Sequence, residues 1–409
     1  MRKPYFPIVL AALAALPGIV VALAHIELSY PMTALAAGIS ILASAFILVW
    51  ACDAAQADVS QSLALAVVAV VAVLPEYAVD MYFTWQAGRF PDSDYAQYAI
   101  ANMTGANRLI IGVAWVVVVV IFWVKTRRAV ELGRDRLLEI QFLAMATVYA
   151  FLIPIKGSLA WYDGVVFIGL YIWYIVIAAR RPQVEVMIEG PGAYLADLPR
   201  VPRRVWTILL FLFAAAAILL NAERFCEGLV CTGKACGISE FLLVQWLAPL
   251  ASEAPEFVVA IMFALRARAG LALGSLVSAK LNQWTLLVGA IPWVFAVAAG
   301  TLAYPLPMGN FQMNEILLTA AQSLLAVVML ATLRLSISEG MLLFGLFVGQ
   351  LVAPGIVDAY FGGDVMGLQG KQMHVIFALL YFVAALTLIV DHPHRLAHVV
   401  PWLQKGRER

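Results

Sequence analysis

Two Pro-Glu steps, Leu74-Pro75-Glu76-Tyr77-Ala78-Val79 and Ala254-Pro255-Glu256-Phe257-Val258-Val259, each set an acid inside a long apolar run. A carboxylate at bilayer depth costs roughly 2.5–3.5 kcal/mol on insertion scales unless it is paired, hydrated or bound to a metal. A chain that carries this cost twice, about 180 residues apart, reads as a duplicated unit with an acidic centre. Carboxylate oxygens are hard ligands suited to Ca2+. Proline adds to the chemistry. It removes a backbone donor and crowds the carbonyl four residues back, so a carbonyl near each Glu is freed to coordinate a cation.

The rest of the chain has to hold those acids in a membrane. Of 409 residues, 64% are hydrophobic and 12% charged, against about 25% charged in soluble domains. The chain therefore reads as an all-α polytopic membrane protein. The formal net charge of +1 implies no nucleic-acid partner. Runs long enough to cross a bilayer begin near Tyr5, Met32, Ser60, Ala99, Ile140, Tyr162, Val205, Phe241, Leu281, Ile316, Met341 and His374, which predicts about 12 spans. Met1-Arg2-Lys3 before an apolar run resembles a signal peptide, but the run is long for one, and an uncleaved first span is the preferred reading.

Lys and Arg cluster at Arg2-Lys3, Lys125 to Arg136, Arg180 to Arg204, Arg266-Arg268 and Arg395 to Arg409. By the positive-inside rule these loops, and both termini, lie on the cytoplasmic side of the cell membrane. The proline-rich stretch 181–204 reads as a linker between halves. The division is then a leading helix (1–31), a first repeat (32–180), the linker (181–204), a second repeat (205–360), and a trailing helix with a cytoplasmic tail (361–409). An odd number of spans per repeat inverts one relative to the other. The expected architecture is two inverted five-helix repeats plus one extra helix at each end. Cys226, Cys231 and Cys236 read as one short loop on the outer side, where two of them are disulfide candidates. Otherwise they are ordinary loop thiols.

The repeats can be followed further. Pro75-Glu76 is succeeded by Ala101-Asn102-Met103-Thr104-Gly105-Ala106-Asn107-Arg108, and Pro255-Glu256 by Gly274-Ser275-Leu276-Val277-Ser278-Ala279-Lys280-Leu281-Asn282. Over residues 32–360 this resembles the calcium/cation antiporter superfamily, in particular the sodium/calcium exchanger type, whose repeats read G-T-S-x-P-E and then G-N-x-x-G-S-N. The resemblance implies cation-binding positions at Glu76, Glu256, Asn102, Asn107, Ser252 and Gln283. Glu253, three residues before Glu256 on the same helix face, would be a further ligand or the partner that neutralises Lys280. The resemblance implies no cofactor. The bound species would be the transported cation, Ca2+ or Na+, with protons as the other partner.

The departures carry as much information. Val71-Ala72-Val73-Leu74 replaces the hydroxyl-bearing G-T-S-x, Ile110 falls where the family has an asparagine, and the second-repeat equivalent of Asn107 is Lys280. Lys280, Arg108 and Asp80 then read as charge-compensating. An ammonium in a seat that the family gives to Na+ argues against sodium coupling, and a buried Lys can shed its proton, so it could carry the coupling proton instead. The expected function is secondary cation antiport, Ca2+ against Na+ or H+. The alternatives are a monovalent cation/H+ exchanger on the same scaffold, or a non-transporting protein with a locked Glu-Lys-Arg cluster.

Bland readings stand beside each residue. Glu76 and Glu256 could be structural ion-pair partners of Lys280 or Arg108. Lys280 could snorkel to an interface, and Arg108 could pair with Asp80 or Asp53. Asn102 and Asn107 could merely bond between helices. His392, His394 and His398 read as a juxtamembrane tail. Asp163, Glu315 and Glu339, near span ends, read as solvated. No nucleophile or phosphate-loop motif is present, so no enzyme class is implied.

Overall fold

A computed structural model of the chain describes residues 5–58, 73–180, 190–302, 304–360, 364–365, 368–369 and 373–391. These residues form thirteen helices: α1 Phe6–Leu23, α2 Tyr30–Ala55, α3 Leu74–Arg89, α4 Tyr95–Thr126, α5 Arg134–Lys156, α6 Trp161–Ala178, α7 Pro191–Ala196, α8 Arg200–Cys236, α9 Glu240–Leu265, α10 Ala269–Ala299, α11 Asn310–Leu330, α12 Ile337–Tyr360 and α13 Met373–Asp391. Eleven of them are long and apolar enough to cross a membrane. α3 is the end of the remaining expected span, whose start from Ser60 lies outside the described residues. The same is true of Met1-Arg2-Lys3, of linker residues 181–189 and of His392, His394 and His398. The outward faces fit a lipid solvent, with Leu13, Val148, Leu212 and Val383 more than half exposed.

The chain forms two compact units, Met1–Asn102 with Ile172–Pro255, and Met103–Tyr171 with Glu256–Arg409. In the first unit α8 packs most extensively on α2, and small residues permit the approach. A Cβ on Gly18 would meet Ser40 Cβ at 2.5 Å and the Ala36 carbonyl at 2.7 Å, and one on Gly228 would meet the Ala34 backbone at 2.9 Å. Apolar spans gain little from burial against lipid, so close backbone packing and buried hydrogen bonds hold them. Here Ser40 Oγ donates to the Ala15 carbonyl at 2.9 Å and Asn221 Nδ2 donates to Ser40 Oγ at 3.1 Å. Just past α2, Asp58 accepts from Arg203 Nε at 2.7 Å and from Arg204 Nε at 3.1 Å.

In the second unit α11 is the most enclosed span and packs on α13 and α5. A two-residue ladder, β1 Val130–Glu131 against β2 Arg334–Leu335, ties the α4–α5 turn to the α11–α12 turn. Two of the long helices are not regular throughout. α4 contains a π turn at Ile110–Ala114 and α10 one at Gln283–Leu287. Such turns re-aim the side chains around them and recur at functional sites.

One expectation is corrected. Cys226, Cys231 and Cys236 do not lie in a loop but on the continuous helix α8, and all three are free. At 3.6 residues per turn, a five-residue step rotates a side chain by about 140°. Neighbouring thiols on α8 therefore point to different sides of it.

Candidate functional site

Glu76 sits in the first turn of α3, where Pro75 is the second residue and Val73 is non-helical. Proline is tolerated there because the first donors have no intrahelical acceptor. The positive end of the helix macrodipole faces the carboxylate. Glu76 is buried at 4% exposure. Asp80, one turn on and fully buried, accepts a hydrogen bond from Asn102 Nδ2 at 2.7 Å. Asn102 thus bonds between helices within the first unit.

The second Pro-Glu step is built differently. α9 runs straight through Pro249 and Pro255. Pro255 cannot donate to the Ala251 carbonyl, which is left facing the turn that carries the acids. Glu253 is buried at 1% exposure and Glu256 is half-buried, three residues apart on one face. Ser252 Oγ donates back to the carbonyls of Ala248 at 3.3 Å and Pro249 at 3.4 Å. Its lone pairs remain as acceptors. Glu76 and Glu256 belong to different compact units, and each is described within its own.

The second unit brings Asn107 and Lys280 together. Asn107 Nδ2 donates to the Met103 carbonyl at 2.8 Å, which turns Oδ1 toward Lys280. The Lys280 ammonium donates to that Oδ1 at 2.7 Å and lies 4.4 Å from the Trp284 ring centroid. It is fully buried, so the snorkelling alternative is set aside. Gln283, first residue of the α10 π turn, is buried at 1% exposure. Its neighbour Asn282 donates to the Tyr171 hydroxyl at 3.2 Å.

Arg108 has a partner beyond the expected Asp80 and Asp53. It donates through Nη2 to Glu315 on α11 and through Nε to the Thr104 carbonyl at 3.3 Å. Glu315 is fully buried, not solvated. The expected span began at Ile316, but the helix starts six residues earlier, at Asn310. Its first turn closes as the Gln312 side chain accepts from the Gly309 amide at 3.0 Å. Asp163 is likewise fully buried, accepting from Lys156, from Tyr149 at 2.8 Å and from the Ala160 amide at 2.7 Å. Glu339 does stand at a helix start, where it caps Ser336. Among the described residues, no three His, Cys, Asp or Glu side chains are grouped as a metal-holding set.

Comparison with known proteins supplies the frame for this geometry. The family described as sodium/calcium exchanger protein matches residues 29–180 and 206–354. The crystal structure of an H+/Ca2+ exchanger, CAX, superposes with a TM-score of 0.90 at 38% identity, covering 99% of this chain and 98% of that one. The sodium-calcium exchanger NCX_Mj superposes with a TM-score of 0.54 at 19% identity, covering 79% of this chain and 98% of that one, a likeness of fold alone. CaxA of Alkalimonas amylolytica, which carries the name of an antiporter, is 24% identical over 295 residues, 66% of this chain and 86% of its own length. The fold is thus two inverted five-helix repeats with a leading and a trailing helix.

Inverted repeats are related by a twofold axis in the membrane plane. The family resemblance equates Asn107 with Lys280, and a π turn begins three residues after each, at Ile110 and Gln283. Equivalent positions that touch each other must lie at the axis relating them. On that equivalence, the Lys280–Asn107 contact would lie at the axis.

Proposed function

The chain belongs to the sodium/calcium exchanger protein family, and from that premise we propose that it exchanges Ca2+ for protons across the cell membrane. Glu76 and Glu256 would be the carboxylates that hold the cation. The observation that carries this reading is the buried Lys280 ammonium on Asn107. Where the family's sodium-coupled pattern has a neutral asparagine, this chain has a lysine, which brings a positive charge whenever it is protonated. A tethered cation leaves no vacancy for Na+, and it repels one nearby. The greater likeness to an H+/Ca2+ exchanger than to a sodium-calcium exchanger points the same way.

The exchange follows from charge balance. Two carboxylates in a low-dielectric interior cannot both stay charged without a counter-charge. Either Ca2+ neutralises them or protons do, so loading one species releases the other. Ca2+ takes six to eight oxygens. Two bidentate carboxylates supply about four, and Asn102, Ser252 and the Ala251 carbonyl are the further oxygens within the same repeats. Gln283 and Glu253 would complete or tune the shell. Helix pairs of the two inverted halves would slide around this fixed centre to expose it alternately. The basic clusters put both termini on the cytoplasmic side, with 32–180 and 205–360 as the repeats and 181–204 as the linker between them.

In proteoliposomes, an acid-inside pH gradient is expected to drive 45Ca2+ uptake, and an imposed Na+ gradient at equal pH is expected to leave it at background. Uptake that follows the Na+ gradient, or neither gradient, would sink the reading. Lys280→Asn restores the amide of the other repeat. Two unit charges ~8 Å apart at an effective dielectric of ~20 interact by ~2 kcal/mol, so removing the ammonium should raise affinity for a monovalent cation by about 30-fold, and for Ca2+ by more. It should also make Ca2+ uptake sensitive to external Na+. Competition assays with NaCl against choline chloride read this directly.

A further inference from the structure

We propose that Glu315 and His374 together form a proton-binding site, apart from Glu76 and Glu256, through which α13 positions Arg108 for the exchange reaction. The proposal rests on the reading of the protein as a proton-coupled exchanger. Three helices of the second unit meet here. Arg108 comes from α4, Glu315 from α11 and His374 from the first turn of α13. The Arg108 guanidinium donates to Glu315 Oε2, and the Thr104 hydroxyl donates to the same oxygen at 3.4 Å. The other oxygen, Oε1, lies 3.2 Å from His374 Nδ1. Gln322 Nε2 donates to the Arg108 carbonyl at 3.4 Å, so the backbone of Arg108 is tied to α11 as well.

The arrangement places a titratable imidazole against the Arg108–Glu315 ion pair. With neutral imidazole, Arg108 and Glu315 cancel. A proton from the aqueous phase taken up by the imidazole puts a positive charge 3.2 Å from Oε1, and no other bond need break. The triad then carries a net positive charge, and Glu315 must divide itself between two cationic donors. Charge-assisted bonds of this kind are roughly twice as strong as neutral ones, so the competition weakens the hold on Arg108. His374 is 13% exposed against 0% for Glu315, so it is the less enclosed end of the pair.

Among the described residues, the Glu315 carboxylate from α11 and, behind it, the Arg108 guanidinium from α4 face the imidazole. On α12, which also packs on α13, Glu339 is engaged at the helix start with Ser336. On α13 itself the other titratable groups are Tyr381, fully buried two turns along, and Asp391 at the far end. The route from this triad to the Lys280–Asn107 contact is one residue long. Arg108 follows Asn107, whose side chain holds the Lys280 ammonium. Movement of Arg108 is passed through the backbone to that contact.

The test uses the full chain in two arms. In proteoliposomes at equal pH on both sides, 45Ca2+/Ca2+ counterflow is followed between about pH 5.5 and 8, which removes the proton gradient as a driving force. His374→Gln should lose one titration step from the profile and leave the alkaline rate within about twofold, since neutral imidazole and amide bear the same charge. A profile identical to wild type overturns the proposal. Independently of transport, 15N-histidine NMR of the purified wild-type protein, assigned by the signal lost in His374→Gln, should show that imidazole titrating between about pH 5 and 8. A signal fixed in one protonation state across that range overturns the proposal even if the variant does not fold. Absence of calcium flux from wild type with normal histidine titration would instead count against the proton-coupled reading alone.

Discussion

Glu76→Gln and Glu256→Gln are each expected to reduce calcium uptake in proteoliposomes by at least about 100-fold while leaving the protein folded. The size follows from charge. A carboxylate oxygen ~2.4 Å from a cation interacts by ~7 kcal/mol per unit charge at an effective dielectric of ~20, and even half of that surviving desolvation is over 100-fold. Glutamine keeps the shape and one acceptor oxygen, so packing around α3 and α9 is preserved. It also removes the group that would take up the exchanged proton, so affinity and coupling fail together. Uptake driven by a pH gradient is measured beside the thermal midpoint in detergent. A variant that transports above about a tenth of the wild-type rate would show that its acid does not hold the cation.

Arg108→Leu should act on stability instead. It strands the fully buried Glu315 carboxylate without its guanidinium, a change that typically costs about 3–5 kcal/mol. Glu315→Leu alone strands Arg108 with a comparable cost. The double variant removes both charges and replaces them with apolar volume, which is often neutral or stabilising relative to the pair. Thermal melts of the three proteins should therefore be strongly non-additive, with the double variant near wild type. A melt of Arg108→Leu within error of wild type would mean the pair does not lock α4 to α11.

Much of this was open to a reader of the sequence, for reasons that differ by feature. The spans were legible because lipid demands about 20 apolar residues whatever their neighbours. The doubled Pro-Glu steps were legible because acids in apolar runs are costly and therefore conspicuous. The resemblance also set Lys280 against Asn107, although not that the two side chains touch. That contact depends on tertiary placement.

Other features left weaker traces. Glu315 was lost because the apolar run was started one residue after it. Yet Gln312, Glu315, Thr319 and Gln322 recur at spacings of three, four and three residues, and all four are buried at 4% exposure or less. A polar stripe at helical period on an apolar helix signals a buried network rather than a solvated end. The cysteines misled because Glu223, Arg224, Glu227 and Lys234 gave the segment the composition of a loop. In fact α8 simply extends 37 residues, past the length that a bilayer needs. Tyr82 and Tyr95 donate to Glu227 there, at 2.9 and 2.6 Å. The π turns leave no compositional trace, since one extra residue per turn is a property of backbone geometry.

The contact between Lys280 and Asn107 constrains how such a protein could have arisen. If the two halves were identical, as in a homodimer of a five-helix ancestor, the residue at this spot would face its own copy. Two lysines ~3 Å apart would repel by ~5 kcal/mol even at an effective dielectric of ~20. Two asparagines would not repel, and would leave room for a mobile ion. On that equivalence, a lysine at this spot suits a polypeptide whose halves were free to diverge, and the loss of symmetry there goes with the chemistry that the lysine would bring.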